Sequence, residues 1–391
     1  MKLIVVQPTS FCNINCSYCY VPNRSDKTRM SKDTLENLFS GLFGSAFLEE
    51  NESVEFLWHS GEPLVVGLPF YREVFELIEK YNKNKNIVVH SFQTNGLLLN
   101  EDWCNFFRTK KVNVGFSIDG PEFLHDINRV GWNGKGTHRE VMEKYCLLRS
   151  NGISSGALCV LTREHLRYPK EILNFFVENR FPSVGFNVEE IENANTNSSL
   201  GIRVDLIHSD VITEFREFVS EFYDLWLPYS GIIDVREFQD FFNVSHKKIL
   251  DPLYRRTPDE VQDFGIVTVQ KDGSLSTYSP EFAGAKSDKY SDFVIGNVHR
   301  DTFSDISSSK QFLTIKNDMD KHKENCENSC QYFDLCGGSY ASNVFFETSD
   351  LTRPESTACR LLRKTLYDVL LEKLASTQGN IESGFSIKSS H

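Results

Sequence analysis

Nowhere in its 391 residues does this chain carry an apolar run near the ~20 residues that a helix needs to cross a bilayer. The apolar part of its opening, MKLIVVQPTS, is too short for a signal-peptide core, and no small-residue cleavage site follows. A cytoplasmic protein with no membrane partner is therefore expected. Cationic surplus is missing too: 42 Lys and Arg face 54 Asp and Glu, a formal net charge of −12. Neutralising a phosphate backbone takes the opposite balance, so nucleic acid is not expected as a partner and only a local basic groove would escape that argument. No glycine-rich phosphate loop points to nucleoside-triphosphate chemistry, and no solenoid repeat or long low-complexity tract interrupts the chain. What is present, 40% hydrophobic residues, suffices for a substantial core.

Cysteine is plentiful instead. Ten of them in a chain without an export signal read poorly as a disulfide framework, because the cytoplasm keeps thiols reduced. Ligation accounts for them better. Seven fall into two groups, Cys12, Cys16 and Cys19 near the start and Cys326, Cys330, Cys336 and Cys359 near the end. Cys104, Cys146 and Cys159 are expected to pack as small core residues.

The length implies a large catalytic domain followed by smaller regions. Up to about residue 190, short apolar runs alternate with amphipathic helical patterns. The runs Leu3–Val6, Val54–Trp58, Ile87–Phe92, Val112–Ile118, Ser155–Leu161 and Ser183–Val188 read as parallel strands covered on both faces. Between them, Ser31 can cap a helix bearing Leu35, Leu38, Phe39 and Leu42 on one side. Phe70, Val74, Phe75, Ile78 and Tyr81 make a second stripe, Thr137 opens a third helix, and Tyr168–Asn179 reads as a fourth. Six βα units predict an α/β fold, a partial (β/α)6 TIM-type barrel over residues 1–190 whose ligands bind at the carboxyl ends of the strands. Residues 191–264 read as a helical bridging region with a long helix near Asp210–Trp226. Residues 265–375 form a further domain that opens with a hairpin, Gly265–Gln270 and Ser274–Tyr278, turning at Asp272-Gly273. A terminal helix is expected from about Arg360 to Leu374, and 376–391 as a flexible tail.

The chemistry-bearing residues follow the strands. Cys12-x3-Cys16-x2-Cys19 lies in the loop after the first strand. Three thiolates can hold three irons of a cubane cluster and leave the fourth iron open, whereas a structural zinc site would need a fourth ligand, and the nearest histidine, His59, belongs to the next strand. The second strand ends in Trp58-His59-Ser60-Gly61-Glu62-Pro63, the third in Gln93-Thr94-Asn95-Gly96, and the fourth in Ser117-Ile118-Asp119-Gly120-Pro121. Taken alone, Gly61 and Pro63 could shape a turn, Glu62 could be a solvated acid, and Asp119-Gly120 could be an ordinary turn. The late cysteines make a complete four-thiolate set, for which zinc and an iron–sulfur cluster are alternatives.

Together these motifs resemble the radical S-adenosylmethionine superfamily. The resemblance implies a [4Fe-4S] cluster on Cys12, Cys16 and Cys19 whose open iron binds S-adenosylmethionine. It further implies a cofactor site lined by Ser60, Gly61, Glu62, Gln93, Asn95, Ser117, Asp119, Arg129 and Asn187. Ser60 stands where the family's element Gly-Gly-Glu-Pro has its first glycine. The late segment is similar to the SPASM extension of radical enzymes that modify peptides, which carries seven cysteines for two auxiliary clusters. Here Tyr340, Ser279 and the Gly296 region lack cysteines expected there, so the resemblance implies one auxiliary [4Fe-4S] cluster on Cys326, Cys330, Cys336 and Cys359.

Residues 186–192 (Phe-Asn-Val-Glu-Glu-Ile-Glu), 265–269 with 276–281, and Cys336-Gly337-Gly338-Ser339 look like the maturases that build cyclophanes. This implies joining an aromatic ring to a β-carbon in a ribosomally made precursor peptide, with flavodoxin or ferredoxin as electron donor. Glu189, Glu190 and Glu281 are the candidates for the base that takes the last proton. The alternatives are a thioether-forming or sulfatase-activating maturase on the same scaffold, or a non-catalytic iron–sulfur or zinc binding protein. No leader-binding domain is expected ahead of the first strand. Precursor recognition is expected from 191–265 or by strand addition at a sheet edge.

Overall fold

All six apolar runs form strands in the computed structural model, which describes residues 2–386 and their side chains to residue 376. They are β1 (Lys2–Val6), β2 (Ser53–Trp58), β3 (Ile87–Thr94), β4 (Asn113–Ser117), β5 (Ser155–Leu161) and β6 (Ser183–Val188). Each pairs in parallel with the next, giving the partial (β/α)6 barrel. Helices α1 (Lys32–Phe43), α2 (Leu68–Tyr81), α3 (Glu101–Lys110), α4 (Glu122–Asn128), α5 (His138–Ser150) and α6 (Pro169–Glu178) lie in the crossovers. Ser31 caps α1, its hydroxyl accepting from the Thr34 amide at 3.0 Å. The buried face of α2 is centred on Tyr71, Val74, Leu77 and Ile78, one position round from the expected stripe, and leaves Phe70 and Phe75 half-buried.

Beyond Glu190 come α7 (Ser209–Trp226), β7 (Asp234–Val235), α8 (Arg236–Leu250), β8 (Ile266–Val269), β9 (Ser274–Thr277) and β10 (Gly296–Asn297). The ten strands make a single sheet in the order β10-β9-β8-β1-β2-β3-β4-β5-β6-β7. The expected hairpin is therefore no detached unit. Its first strand, β8, runs parallel to β1, and β9 and β10 add on antiparallel. The strands at the two edges are two residues long each, which leaves little template for strand addition.

The remaining helices are α9 (Phe303–Ile306), α10 (Lys310–Ser329), α11 (Phe333–Cys336), α12 (Ala341–Thr348), α13 (Thr357–Cys359) and α14 (Leu366–Ser386), with a π-helical turn, Arg360–Thr365, before α14. Helix α14 passes the expected end at Leu374, and of the tail expected at 376–391, residues 387–391 lie outside the described residues. Cys104 and Cys159 are buried as expected, but Cys146 is exposed. The buried face of α5 is Val141, Tyr145 and Leu148, and Cys146 sits about 100° round the helix from Tyr145. Among the described residues no helix is long and apolar enough to cross a membrane.

Candidate active site

The loop after β1 is fixed by backbone bonds to two other segments. The Cys12 amide donates to the Arg24 carbonyl at 3.1 Å, and the amides of Asn15 and Ser17 donate to the carbonyls of Val130 at 2.7 Å and Asn128 at 3.0 Å. Gly61 brings the end of β2 against this loop. Its φ of +134° suits glycine, and a Cβ there would stand 2.3 Å from the Thr9 carbonyl oxygen. Cys12, Cys16 and Cys19 are free thiols, Cys16 buried and the others half-buried. Burial first, then Glu62 and the two neighbouring thiols, push the Cys12 thiol well up. Burial, against the pull of Arg129, raises Cys16 to about 11. Such a set is costly as bare thiolates and suits a positively charged iron core, so the donor chemistry fits the implied cluster.

The loop faces a cavity of about 1000 Å³ counted to its open mouth, in the size range of small-molecule sites. Besides the three cysteines, its walls hold Gly61, Glu62, Gln93, Asn95, Ser117, Arg129 and Asn187, together with Glu189, Glu190 and Glu281. Glu62 is buried and accepts from the Leu64 amide at 2.9 Å, the Asn95 amide at 2.9 Å and the Thr94 hydroxyl at 2.8 Å. Burial outweighs these bonds and lifts its carboxyl to about 7. Asn95 donates to Asn13 at 2.8 Å and reaches the Cys12 sulfur at 3.6 Å. Gln93 donates to Ser117 at 2.7 Å, and Arg236 holds Asn187 at 2.8 Å.

Two expected contact residues do not reach the cavity. Asp119 is fully buried behind Arg129, its oxygens taken by Arg129 at 3.0 Å, the Val160 amide at 2.9 Å and the Tyr18 hydroxyl. Burial opposes its charge, but Arg129, His125 and His165 prevail and hold its carboxyl below the usual range. Its bonds hold Arg129 in place. Ser60, at φ +65°, turns its hydroxyl to Tyr20 at 3.2 Å, and its carbonyl accepts from Gln7 at 2.8 Å.

Within the same lining the carboxyls crowd together. Glu189 caps its own loop, accepting from the Ser199 amide at 2.7 Å and from the Ser199 hydroxyl. Glu190 is lifted to about 8 by burial and then by Glu281, and burial likewise raises Glu281. Glu192, absent from the expected set, lines the same cavity and accepts from Asn343 at 2.7 Å and Ser342 at 3.2 Å. Burial, then Glu281 and Glu190, push it well up. Carboxyls this close do not all ionise, so the group retains protons at neutral pH. Tyr18, Tyr20 and His59 also line the cavity and were not expected from sequence.

The late cysteines come from the ends of three helices. Cys326 lies in the last turn of α10 and Cys330 caps it, Cys336 ends α11 and Cys359 ends α13. Burial, then Cys336 and Cys330, raise Cys326 to about 12, and Cys359 is pushed well up by burial and the charges of Cys336, Glu355 and Cys326. Cys326 thus lies within electrostatic reach of Cys330 and Cys336, and Cys359 within reach of Cys336 and Cys326, a grouping compatible with ligands of one closed cluster. Among the described residues no three His, Cys, Asp or Glu side chains converge as ligands of one metal ion. Tyr340 stands at φ +72° with Arg363 over its ring at 5.2 Å, and Ser279 bonds Glu281.

Comparison with known proteins adds to this geometry. The model of the Radical SAM superfamily matches residues 6–176. An uncharacterized protein of Synechocystis sp. is 39% identical over 97% of this chain and 93% of its own length. A cysteine-type anaerobic sulfatase-maturating enzyme of Clostridium novyi is 24% identical over 86% of each chain. The solved structure titled native anSMEcpe with bound AdoMet and Cp18Cys peptide shares the fold, with a TM-score of 0.76 over 97% of this chain and 99% of that one at 22% identity.

Proposed function

The chain belongs to the radical SAM superfamily, and on that premise we propose that it is a maturase that oxidises a ribosomally made precursor peptide, closing a C–C bond between an aromatic ring and a β-carbon. It is a radical S-adenosylmethionine enzyme, with that cofactor and [4Fe-4S] clusters as its working groups. What supports the peptide reading is one observation: three thiols and a group of three glutamates that share protons line one cavity. When bound, the cluster and S-adenosylmethionine supply a 5′-deoxyadenosyl radical that takes a hydrogen atom from the substrate.

The chain's own residues do the rest. Cys12, Cys16 and Cys19 would hold the cluster, and Glu62 with Gln93, Asn95, Ser117 and Asn187 would hold the cofactor's polar groups. An ammonium beside Glu62 favours its carboxylate and so offsets the burial that now raises it. Arg129, locked by Asp119, offers a fixed cation on the same wall. Addition of the β-carbon radical to the ring leaves one electron and one proton to be lost before aromaticity returns; the group of Glu190, Glu192 and Glu281 would take the proton, Glu189 being spent on Ser199, and an auxiliary cluster would accept the electron. Cys326, Cys330, Cys336 and Cys359 would hold the auxiliary cluster.

A second reading, oxidation of a Cys or Ser side chain to an aldehyde, is favoured by the likeness to the sulfatase-maturating enzyme. Anaerobic reconstitution with reductant, S-adenosylmethionine and short peptides bearing aromatic residues separates the two. Crosslinking yields a peptide short of a pair of hydrogens and inert to a hydrazide probe. A hydrazide-reactive product would establish the second reading, and absence of 5′-deoxyadenosine would defeat both.

A further inference from the structure

Strand β7 ends after two residues, and its last pair in the ladder is Val235 with Val184. Phe186, the next residue of β6 to face that edge, would be left without backbone partners there, and side chains take over. Glu237 accepts from the Phe186 amide at 3.0 Å, and Arg236 donates from Nη2 to the Phe186 carbonyl at 2.6 Å. The two are joined, Arg236 Nε donating to Glu237 at 2.7 Å. The same Nη2 goes one residue further and donates to Asn187 Oδ1 at 2.8 Å. Gly185 makes room for this, since a Cβ there would stand 2.8 Å from the guanidinium carbon and 2.9 Å from Nη1.

A guanidinium can only donate, so the Asn187 atom it meets is the oxygen and the amide cannot be turned round. Its nitrogen is left as a donor, and among the described residues no protein group accepts from it. Asn187 lines the cavity that holds the three cysteines, whereas Arg236 lines a second one with Gly185, Gln239 and Asp240. Arg236 therefore reaches the candidate cofactor site through Asn187. A carboxamide free to rotate presents an acceptor as readily as a donor. One held by its oxygen presents donors alone, and that ordering is complete before a ligand arrives.

We propose that Arg236 is a positioning residue for S-adenosylmethionine. By claiming Oδ1 it leaves Asn187 with N–H donors alone, for an acceptor atom of the cofactor, and Gly185 is the gap through which the guanidinium reaches the amide. The inference rests on the place of Asn187 in the cofactor site given above, but it concerns how the cofactor is held and not which bond is finally made.

Anaerobic calorimetric titration of S-adenosylmethionine into the full chain, its clusters reconstituted but not reduced, reads affinity without turnover. Arg236→Met alone would leave Glu237 buried without its cation, so it is combined with Glu237→Gln. This pair should weaken binding about tenfold, the scale of one well-made hydrogen bond. Gly185→Ala, which keeps every charge and displaces the guanidinium, should weaken it by a similar factor. Asn187→Ala should cost as much, and adding it to the Arg236→Met, Glu237→Gln pair should cost nothing further, because the arginine acts through the amide. Asn187→Asp keeps an oxygen for Arg236 but has no N–H, so it should bind no better than Asn187→Ala. In 5′-deoxyadenosine formation without peptide, KM should rise while kcat is nearly kept. An arginine that only closes the sheet edge would lower the thermal transition and leave affinity alone. Parent-like affinity in both the Arg236→Met, Glu237→Gln pair and Gly185→Ala would therefore overturn the inference. So would losses that multiply to about a hundredfold when that pair is combined with Asn187→Ala, or parent-like binding by Asn187→Asp. Parent-like binding by Asn187→Ala would overturn it together with the place of Asn187 in the cofactor site, while 5′-deoxyadenosine would still form and the radical reading would stand.

Discussion

The two cysteine sites are built in opposite ways. Cys12, Cys16 and Cys19 come from one short loop held by neighbouring backbone, and that loop faces an open cavity. Cys326, Cys330, Cys336 and Cys359 come from separate helix ends that tertiary packing must bring together, and three of the four are buried. A site that binds a ligand needs access. A site that meets no ligand can be sealed, and its cluster then also serves as a staple for the segment around it.

The strongest way to break that contrast is to delete one thiol from each site. Cys16→Ala should reduce 5′-deoxyadenosine formation to background while leaving the thermal transition nearly unchanged. Cys336→Ala should retain cofactor cleavage without peptide, lose the crosslinked product, and lower the transition of the reconstituted protein. If both variants lost cofactor cleavage alike, the division of labour would be wrong.

Next comes the support behind the open site. Arg129→Met leaves Asp119 buried without its cation, which costs about 3–5 kcal/mol and is measurable by denaturant unfolding. Adding Asp119→Asn should restore part of the loss. A third effect sets the acids of the open cavity apart from the sealed site. Glu62 and Glu190 ordinarily titrate at 4.5 but are lifted by burial to about 7 and about 8. The folded state then holds protons that the unfolded chain has released. Their contribution to stability is full below about pH 4.5 and is lost as pH rises towards 7 and 8. The cluster-free protein should therefore melt at falling temperature over that window, and Glu190→Gln should flatten the slope. The smallest effect tests the sealed site. Ser356 caps α13, accepting from the Cys359 amide at 3.1 Å, so Ser356→Ala should cost about 1 kcal/mol without touching the open site.

The sequence was most legible where burial is two-sided. Ser155–Leu161 and Ser183–Val188 are strands to the residue, because a covered parallel strand shows itself as a near-continuous apolar run. Strands β7 and β10 are two residues long, too short for any periodicity to register. Asp119 and Ser60 were read as ligand contacts because they follow strands, but position along the chain does not say which way a side chain turns. Both turn inward to partners, Arg129 and Tyr20, that lie far off in sequence or in another loop. Glu192 did leave a signal, since Glu190 and Glu192 are spaced two apart after a strand, where alternate residues share a side. Cys146 misled because it stands between Tyr145 and Leu147-Leu148, whereas its helix buries a face centred on Tyr145.

The pairing of β1 with β8 has a consequence for how this chain is made. Leu3–Val6 acquires its second neighbour only when residues 266–269 have been synthesised. Until then the nascent barrel carries an open apolar edge at β1, the kind of edge that recruits strands from other chains. A fragment ending at residue 190 should on this ground associate when expressed alone, and refolding of the whole chain should wait on a contact that spans most of its length.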